Sequence, residues 1–237
     1  MITKTNTKID EMLSAGAHFG YTRTRRHPSV KPYVLGTKNR VDIMDIEKTE
    51  VLLSRAKEFV KSLGATGKVI IFIGSKPEAK EAIRGAAEET GMPYVTERWI
   101  GGTLTNFVEI KKRIDKLADL LEKREKGATQ VYTKKERLLI DREIIRLEKY
   151  FSGLSSLKNL PAAVFVVDSK KENITVAECR KMNIPVVSLS NSDCDLKQIT
   201  YPIVGNDSSV SSISFFVREI TEAYKEGQGT QNVERVA

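Results

Sequence analysis

Lys68-Val69-Ile70-Ile71-Phe72-Ile73-Gly74-Ser75-Lys76-Pro77-Glu78 is the stretch that decides the fold. A short continuous apolar run ending in glycine is the pattern of a strand buried on both faces, which belongs in a parallel sheet. Ser75-Lys76-Pro77-Glu78 then offers an N-cap with Glu three residues on, so a helix is predicted to run to about residue 90, before Gly91. Pro93-Tyr94-Val95 reads as the next strand.

The alternation continues outward. Downstream, strands are predicted at 162–167 and 185–189 and helices at about 174–182 and 208–224; upstream, a strand at 41–46 precedes a helix over 47–63. Strands alternating with helices over this length predict an α/β fold: a doubly wound, mostly parallel, Rossmann- or flavodoxin-like sheet with right-handed crossovers. Ligands on such sheets bind beyond the strand C-termini. The α/β domain is expected over 41–105 and 159–225, with a basic N-terminal helix and extension over 1–40 and a polar, mobile tail over 226–237.

Residues 106–158 interrupt the alternation. Phe107, Ile110, Ile114, Leu117 and Leu121 are spaced 3-4-3-4, and Ile140, Ile144, Leu147, Phe151 and Leu154 are spaced 4-3-4-3. That is the seam of a two-stranded coiled coil, so an inserted antiparallel helical hairpin about 30 Å long is expected. Asn106-x-x-Glu109 and Thr133-x-x-Glu136 mark the helix starts, and Gly127-Ala128-Thr129 marks the turn.

Charge follows the same partition. The 237 residues carry a net charge of +8, with 40% hydrophobic and 30% charged residues, a globular composition that argues against wholesale disorder. Residues 1–40 hold eight basic and two acidic side chains, and residues 109–160 hold fourteen and nine. The rest of the chain is slightly acidic, so the excess sits in the leader and the hairpin and suggests a polyanionic partner for them. Two cysteines supply neither a disulfide framework nor a zinc-finger spacing, which fits a reducing, cytoplasmic setting. No apolar run approaches the length of a membrane span, and residues 1–7 lack the apolar stretch of a secretory signal.

Parts for catalysis are sparse. Gly74-Ser75-Lys76 opens a helix, but neither the Gly-rich phosphate loop of nucleotide-binding folds nor Gly-x-Ser-x-Gly is present. Both histidines, His18 and His27, lie in the leader with no obvious orienting group. Asp168, Asp193 and Asp195 follow strands and could hold Mg²⁺, or could serve turns and caps. No cofactor is expected. Asn206-Asp207 offers an N-cap for the last helix.

The leader is more informative. Gly16-Ala17-His18-Phe19-Gly20-Tyr21-Thr22-Arg23-Thr24-Arg25-Arg26-His27-Pro28 interleaves aromatics, cations and glycines and continues through Lys31, Lys38 and Arg40. Arg and Lys can neutralise phosphates, His, Phe and Tyr can stack on unpaired bases, and Gly20 lets the backbone approach a strand, so this segment is expected to contact RNA. Arg98-Trp99-Ile100-Gly101-Gly102-Thr103-Leu104-Thr105-Asn106 leads into the hairpin; Trp99 could stack on RNA or pack at the base of the hairpin. Cations at Lys123-Arg124-Glu125-Lys126 and Lys134-Lys135 could touch RNA or a protein, or form a solvated exterior.

Four blocks carry a resemblance: Ala15-Gly16-Ala17-His18-Phe19-Gly20, Val41-Asp42-Ile43-Met44-Asp45-Ile46-Glu47-Lys48-Thr49, residues 98–107, and Asn206-Asp207. Over roughly residues 8–225 the chain resembles the bacterial small-subunit ribosomal protein S-two family. The resemblance implies a non-enzymatic ribosomal component with an α/β domain and a protruding coiled coil. It also implies contacts with small-subunit (16S) rRNA and neighbouring ribosomal proteins, including the large mRNA-binding ribosomal protein. By matched position it implicates His18, Phe19, Gly20, Arg25, Arg98, Trp99, Gly101, Gly102 and Asn106 as residues that make or shape contacts. The chain departs from the family at Tyr21, Arg26 and His27, where His, Trp and Asn are common, and at Arg40 and Asp42, where Gly and His are common. Losing that Trp favours phosphate contact over stacking around Arg26. Asn191-Ser192-Asp193-Cys194-Asp195-Leu196 and Ser211 also depart from the family pattern.

Overall fold

The computed structural model describes residues 5–126 and 133–236. The first four residues, the turn expected at 127–129 and Ala237 lie outside the described residues.

The deciding stretch forms strand β4 (Ile70–Ile73) and helix α3 (Pro77–Thr90), with Gly91 closing the helix in the left-handed conformation, φ 67°. Strand β4 pairs in parallel with β5 (Tyr94–Val95) and β6 (Ala163–Val167), which is followed by β7 (Val186–Ser190) and β8 (Tyr201–Val204), in the order β5-β4-β6-β7-β8. Side chains alternate across it as the pleat demands. Ile70, Phe72, Phe165 and Val167 enter one apolar core with α1 (Thr5–Ser14), α2 (Ile46–Ala65), α3 and α7 (Val210–Val236). Ile71, Ile73, Val164 and Val166 enter a second core with α6 (Asn173–Lys181) and the helix pair α4 (Phe107–Glu125) and α5 (Lys134–Phe151). Both faces are therefore covered, which is why the strand sequence is apolar throughout. The result is a mixed α/β fold with a parallel five-stranded sheet of Rossmann-like type.

Three departures from the sequence reading bear on function. The segment expected to supply the upstream parallel strand, 41–46, instead forms β3 (Val41–Met44) of a separate antiparallel sheet, between β1 (Phe19–Thr22) and β2 (Val34–Lys38). The leader is thus a small folded sheet, and its strands escaped notice because Gly20 and Gly36 weaken their β-pattern. Strand β8 was also missed. Pro202 lies within it, and a proline in a strand is tolerated at a sheet edge, where β8 lies. Helix α7 runs on through Gly227, where a polar tail was expected to begin. A Cβ on Gly64 would stand 2.2 Å from the Tyr224 carbonyl oxygen, and one on Gly227 would stand 2.2 Å from that of Lys61. Glycine at both positions lets α2 and α7 press backbone to backbone there.

Thr133 and Glu136 form the expected capping box, the Thr133 N–H donating to Glu136 Oε2 at 2.9 Å. Ser75 does not cap α3: Lys76 is the N-cap residue, Pro77 follows it, and Ser75 Oγ hydrogen-bonds Glu172 instead. Asn106 precedes α4 without a side-chain cap bond. Helices α4 and α5 lie against each other, and all ten seam positions belong to the second core or pack on it.

Candidate nucleic-acid interface

The leader sheet turns at Asn39 (φ 52°) and Arg40 (φ 65°), the two left-handed residues that a tight type I′ hairpin requires. The turn exposes Lys38 and Arg40 at its tip. The Arg23 N–H donates to the Arg40 carbonyl at 3.0 Å, joining this tip to the 3₁₀ turn Arg23–Arg25, so four exposed cations gather at one end of the sheet. Lys31 is exposed on the next 3₁₀ turn, Pro28–Tyr33. Among the described residues, Arg23, Lys31, Lys38 and Arg40 have no ion-pair partner, and Arg25 lies over the Tyr21 ring, 5.7 Å from its centroid. Phe19 is 48% exposed beside His18, their ring centroids 4.0 Å apart. Gly20 lies close against β3, where a Cβ would stand 3.1 Å from the Asp42 carbonyl oxygen.

Two leader residues are committed inward. Arg26 pairs at 3.5 Å with the fully buried Asp42 carboxylate, which also accepts from Thr37 Oγ1 at 2.8 Å. His27 is half-buried, its Nδ1 beside Ser29 Oγ at 2.8 Å. Arg26 is thus held by an ion pair with a buried carboxylate, where the sequence suggested a phosphate contact for it.

The leader closes the strand C-termini, the edge at which a doubly wound sheet ordinarily takes its ligand. The Tyr21 N–H donates to Ser192 Oγ at 2.9 Å, the His27 N–H to the Ser192 carbonyl at 2.8 Å, and the Leu196 N–H to Ser29 Oγ at 3.0 Å. Asn206 completes the closure: its side-chain amide donates to the Gly16 carbonyl at 3.0 Å and its N–H to the Ala17 carbonyl at 2.9 Å.

Beneath it, Asp168, Asp193 and Asp195 do not converge as a magnesium site would require. Asp168 takes the Lys76 ammonium at 2.7 Å, Asp193 takes Lys170 at 2.9 Å, and Asp195 accepts from the Lys197 N–H and the Gln198 amide. Asp168 meets Asp207 and Cys194 instead, and Lys76 also sits 2.8 Å from Asp207. The two carboxylates hold the Lys76 ammonium well above its ordinary pKa despite burial, so a tethered cation sits between them. Asp207 is occupied by Lys76 and by the Asn191 amide, and Asn206 Oδ1 accepts the Ser208 N–H at 2.9 Å in the turn before α7. Strand order reverses between β4 and β6, and there Ser75 Oγ bonds the buried Glu172 while Lys171 donates to the Ser75 carbonyl at 3.2 Å. Burial raises the Glu172 pKa.

The second expected RNA segment, 98–106, has a different construction. Trp99 is 3% exposed and donates through Nε1 to Glu178 Oε1 at 3.3 Å, so it packs at the base of the helix pair and has no ring face to offer a base. Gly102 takes φ 94° and donates its N–H to the same oxygen at 2.7 Å. Leu104 N–H, Thr105 N–H and Thr105 Oγ1 donate to Glu178 Oε2 at 3.0, 3.2 and 3.3 Å. These donors outweigh desolvation and hold the Glu178 pKa below the ordinary glutamate value. Only Arg98, Gly101 and Asn106 of this segment's candidates are exposed. Glu178 and Lys76 were missed in the sequence. The signal for Glu178 was its place on the stripe Thr175, Glu178, Cys179, Met182, which helical spacing turns inward.

On α4, Lys123 and Lys126 pair along the helix with Asp119 and Glu122. Lys116 pairs across to Glu143 on α5 at 2.6 Å. Among the described residues, Lys134, Lys135, Arg137 and Arg142 have no ion pair.

The parallel sheet thus has its ligand edge closed by its own leader, and the leader's unpaired cations gather on exposed turns, the build of a scaffold protein. The family model described as ribosomal protein S2 matches residues 12–227. Two curated relatives, each called small ribosomal subunit protein uS2, are 42% identical: that of Bdellovibrio bacteriovorus over 92% of this chain and 70% of its own length, and that of Sulfurimonas denitrificans over 94% and 86%. The chain belongs to the ribosomal protein S2 family, the structural, non-enzymatic proteins of the small ribosomal subunit.

Proposed function

We propose that the chain binds small-subunit (16S) rRNA through the cationic tip of its leader sheet, Arg23, Arg25, Lys38 and Arg40, with Lys31 beside it. The observation that carries this reading is that none of these five cations has a carboxylate partner among the described residues, whereas most lysines of the α/β body have one. Five phosphate contacts would give log K a slope of about −4 against log salt. Phe19 supplies an exposed ring for stacking, and Arg98, Gly101 and Asn106 form a smaller second contact.

Helices α4 and α5 form, on this reading, an antiparallel coiled-coil hairpin that meets neighbouring ribosomal proteins, among them the large mRNA-binding ribosomal protein. Leu138, Leu139 and Ile145 are exposed on α5 among unpaired Arg137 and Arg142, a surface that suits a protein neighbour. The setting is the bacterial cytoplasm, and among the described residues no helix is long and apolar enough to cross a membrane. Sucrose-gradient sedimentation tests the reading. Tagged protein is expected with small subunits at low salt, and a protein confined to free fractions overturns it.

A further inference from the structure

We infer that Glu178 is a positioning residue that fixes the direction in which the α4/α5 pair leaves the sheet. The inference rests on the reading that this pair is the element presented to a partner. Helix α4 begins at Phe107, and the eight residues before it would let it swing if they were an ordinary loop. They are instead wound around one carboxylate carried by α6. Glu178 Oε1 accepts from Trp99 Nε1 and the Gly102 N–H, and Oε2 from the Leu104 N–H, the Thr105 N–H and Thr105 Oγ1.

The turn is closed internally as well: Thr103 Oγ1 donates to the Ile100 carbonyl at 2.6 Å, and the Asn106 N–H donates to the Gly102 carbonyl at 2.8 Å. The return path is held separately, since a Cβ on Gly153 would stand 2.3 Å from the Tyr94 carbonyl oxygen. The pair is thus fastened to α6 at its start and to β5 at its end.

No other side chain substitutes for this carboxylate. Gln keeps the volume but turns one acceptor into an NH₂ donor facing N–H groups, and Asp is one methylene too short to reach both sets of donors. The experiment measures spin-label distances in the full chain between Arg124→Cys on α4 and Arg55→Cys on α2, both positions being exposed. Cys179 and Cys194 are fully buried, so labels go to the introduced thiols.

The parent should give one narrow distance distribution. Glu178→Gln should broaden it at least twofold at a temperature where the sheet remains folded by circular dichroism. An unchanged distribution in a folded Glu178→Gln protein overturns the inference. Should that variant fail to fold, the Trp99→Phe/Thr105→Val pair removes only the two side-chain donors and is expected to broaden the distribution; no change there overturns it equally. The measurement needs no ribosome, so failure to sediment with small subunits defeats the assembly reading and leaves this result standing.

Discussion

The leader and the 98–106 turn look alike in sequence, each mixing arginine, aromatics and glycine, yet they fold to opposite purposes. In the leader, the cations stand unpaired around the Asn39-Arg40 tip and Phe19 is half-exposed. In the turn, the aromatic is buried, one glycine adopts a left-handed φ, and backbone donors converge on a carboxylate more than seventy residues away in sequence. Composition alone cannot separate them. The difference lies in whether another element brings a carboxylate to the segment.

Trp99→Ala should have the largest effect. Removing a buried Trp costs about 3–5 kcal/mol, seen as a lower urea midpoint, while the salt dependence of RNA binding by the remaining folded protein stays as in the parent. A loss of RNA affinity with no loss of stability would reverse the comparison. Arg26→Ala tests the boundary inside the leader. It strands the buried Asp42 carboxylate and should cost about 1–3 kcal/mol, part of which Asp42→Asn restores in the double variant. A stable single variant would show Arg26 to be an ordinary surface cation.

Changing Arg23, Arg25 and Arg40 together to Ala should leave the melting temperature within a few degrees, weaken RNA binding about 10- to 100-fold, and make the salt slope shallower by about 2 to 3. An unchanged slope removes the leader from the interface. The smallest effect concerns acid. The Glu178 pKa is lowered in the fold, so its stabilisation is complete above the ordinary value of 4.5 and is lost as pH falls through the folded value. Acid titration followed by near-ultraviolet circular dichroism should therefore show Trp99 loosening below about pH 4.5. In Glu178→Gln that step should be absent.

Much of this was legible in the chain. The run Val69-Ile70-Ile71-Phe72-Ile73 announced a doubly buried strand because a sheet covered on both faces needs no alternation. The 3-4 spacing of the seam residues placed α4 and α5 because helical geometry admits little else at that period. Strand β8 was illegible because Pro202 argues against a strand unless its edge position is known, and position is a tertiary fact. Residues 41–46 carry a β pattern, but their partners are β1 and β2 rather than the parallel sheet, since a β pattern reports burial and says nothing of pairing. Asp168, Asp193 and Asp195 suit turns and caps as well as a cation, and the turn reading holds for two of them: Asp195 caps the 3₁₀ turn at Leu196 and Asp168 accepts the Lys170 and Lys171 N–H groups, while the cation beside Asp168 is Lys76, whose approach depends on how α3 leaves β4.

Periodicity, net charge and ordered motifs are properties of a linear chain, and they carry the alternation of elements, the two basic segments and the membership of a family. Tertiary structure alone decided which cations are free and which are bound. It also decided that the leader closes the sheet's ligand edge and that Trp99 supports the helix pair. Those outcomes depend on contacts such as Arg26 with Asp42, Lys76 with Asp207, and Glu178 with the 99–105 backbone. Most of them join residues far apart in the chain, whose meeting no local pattern encodes.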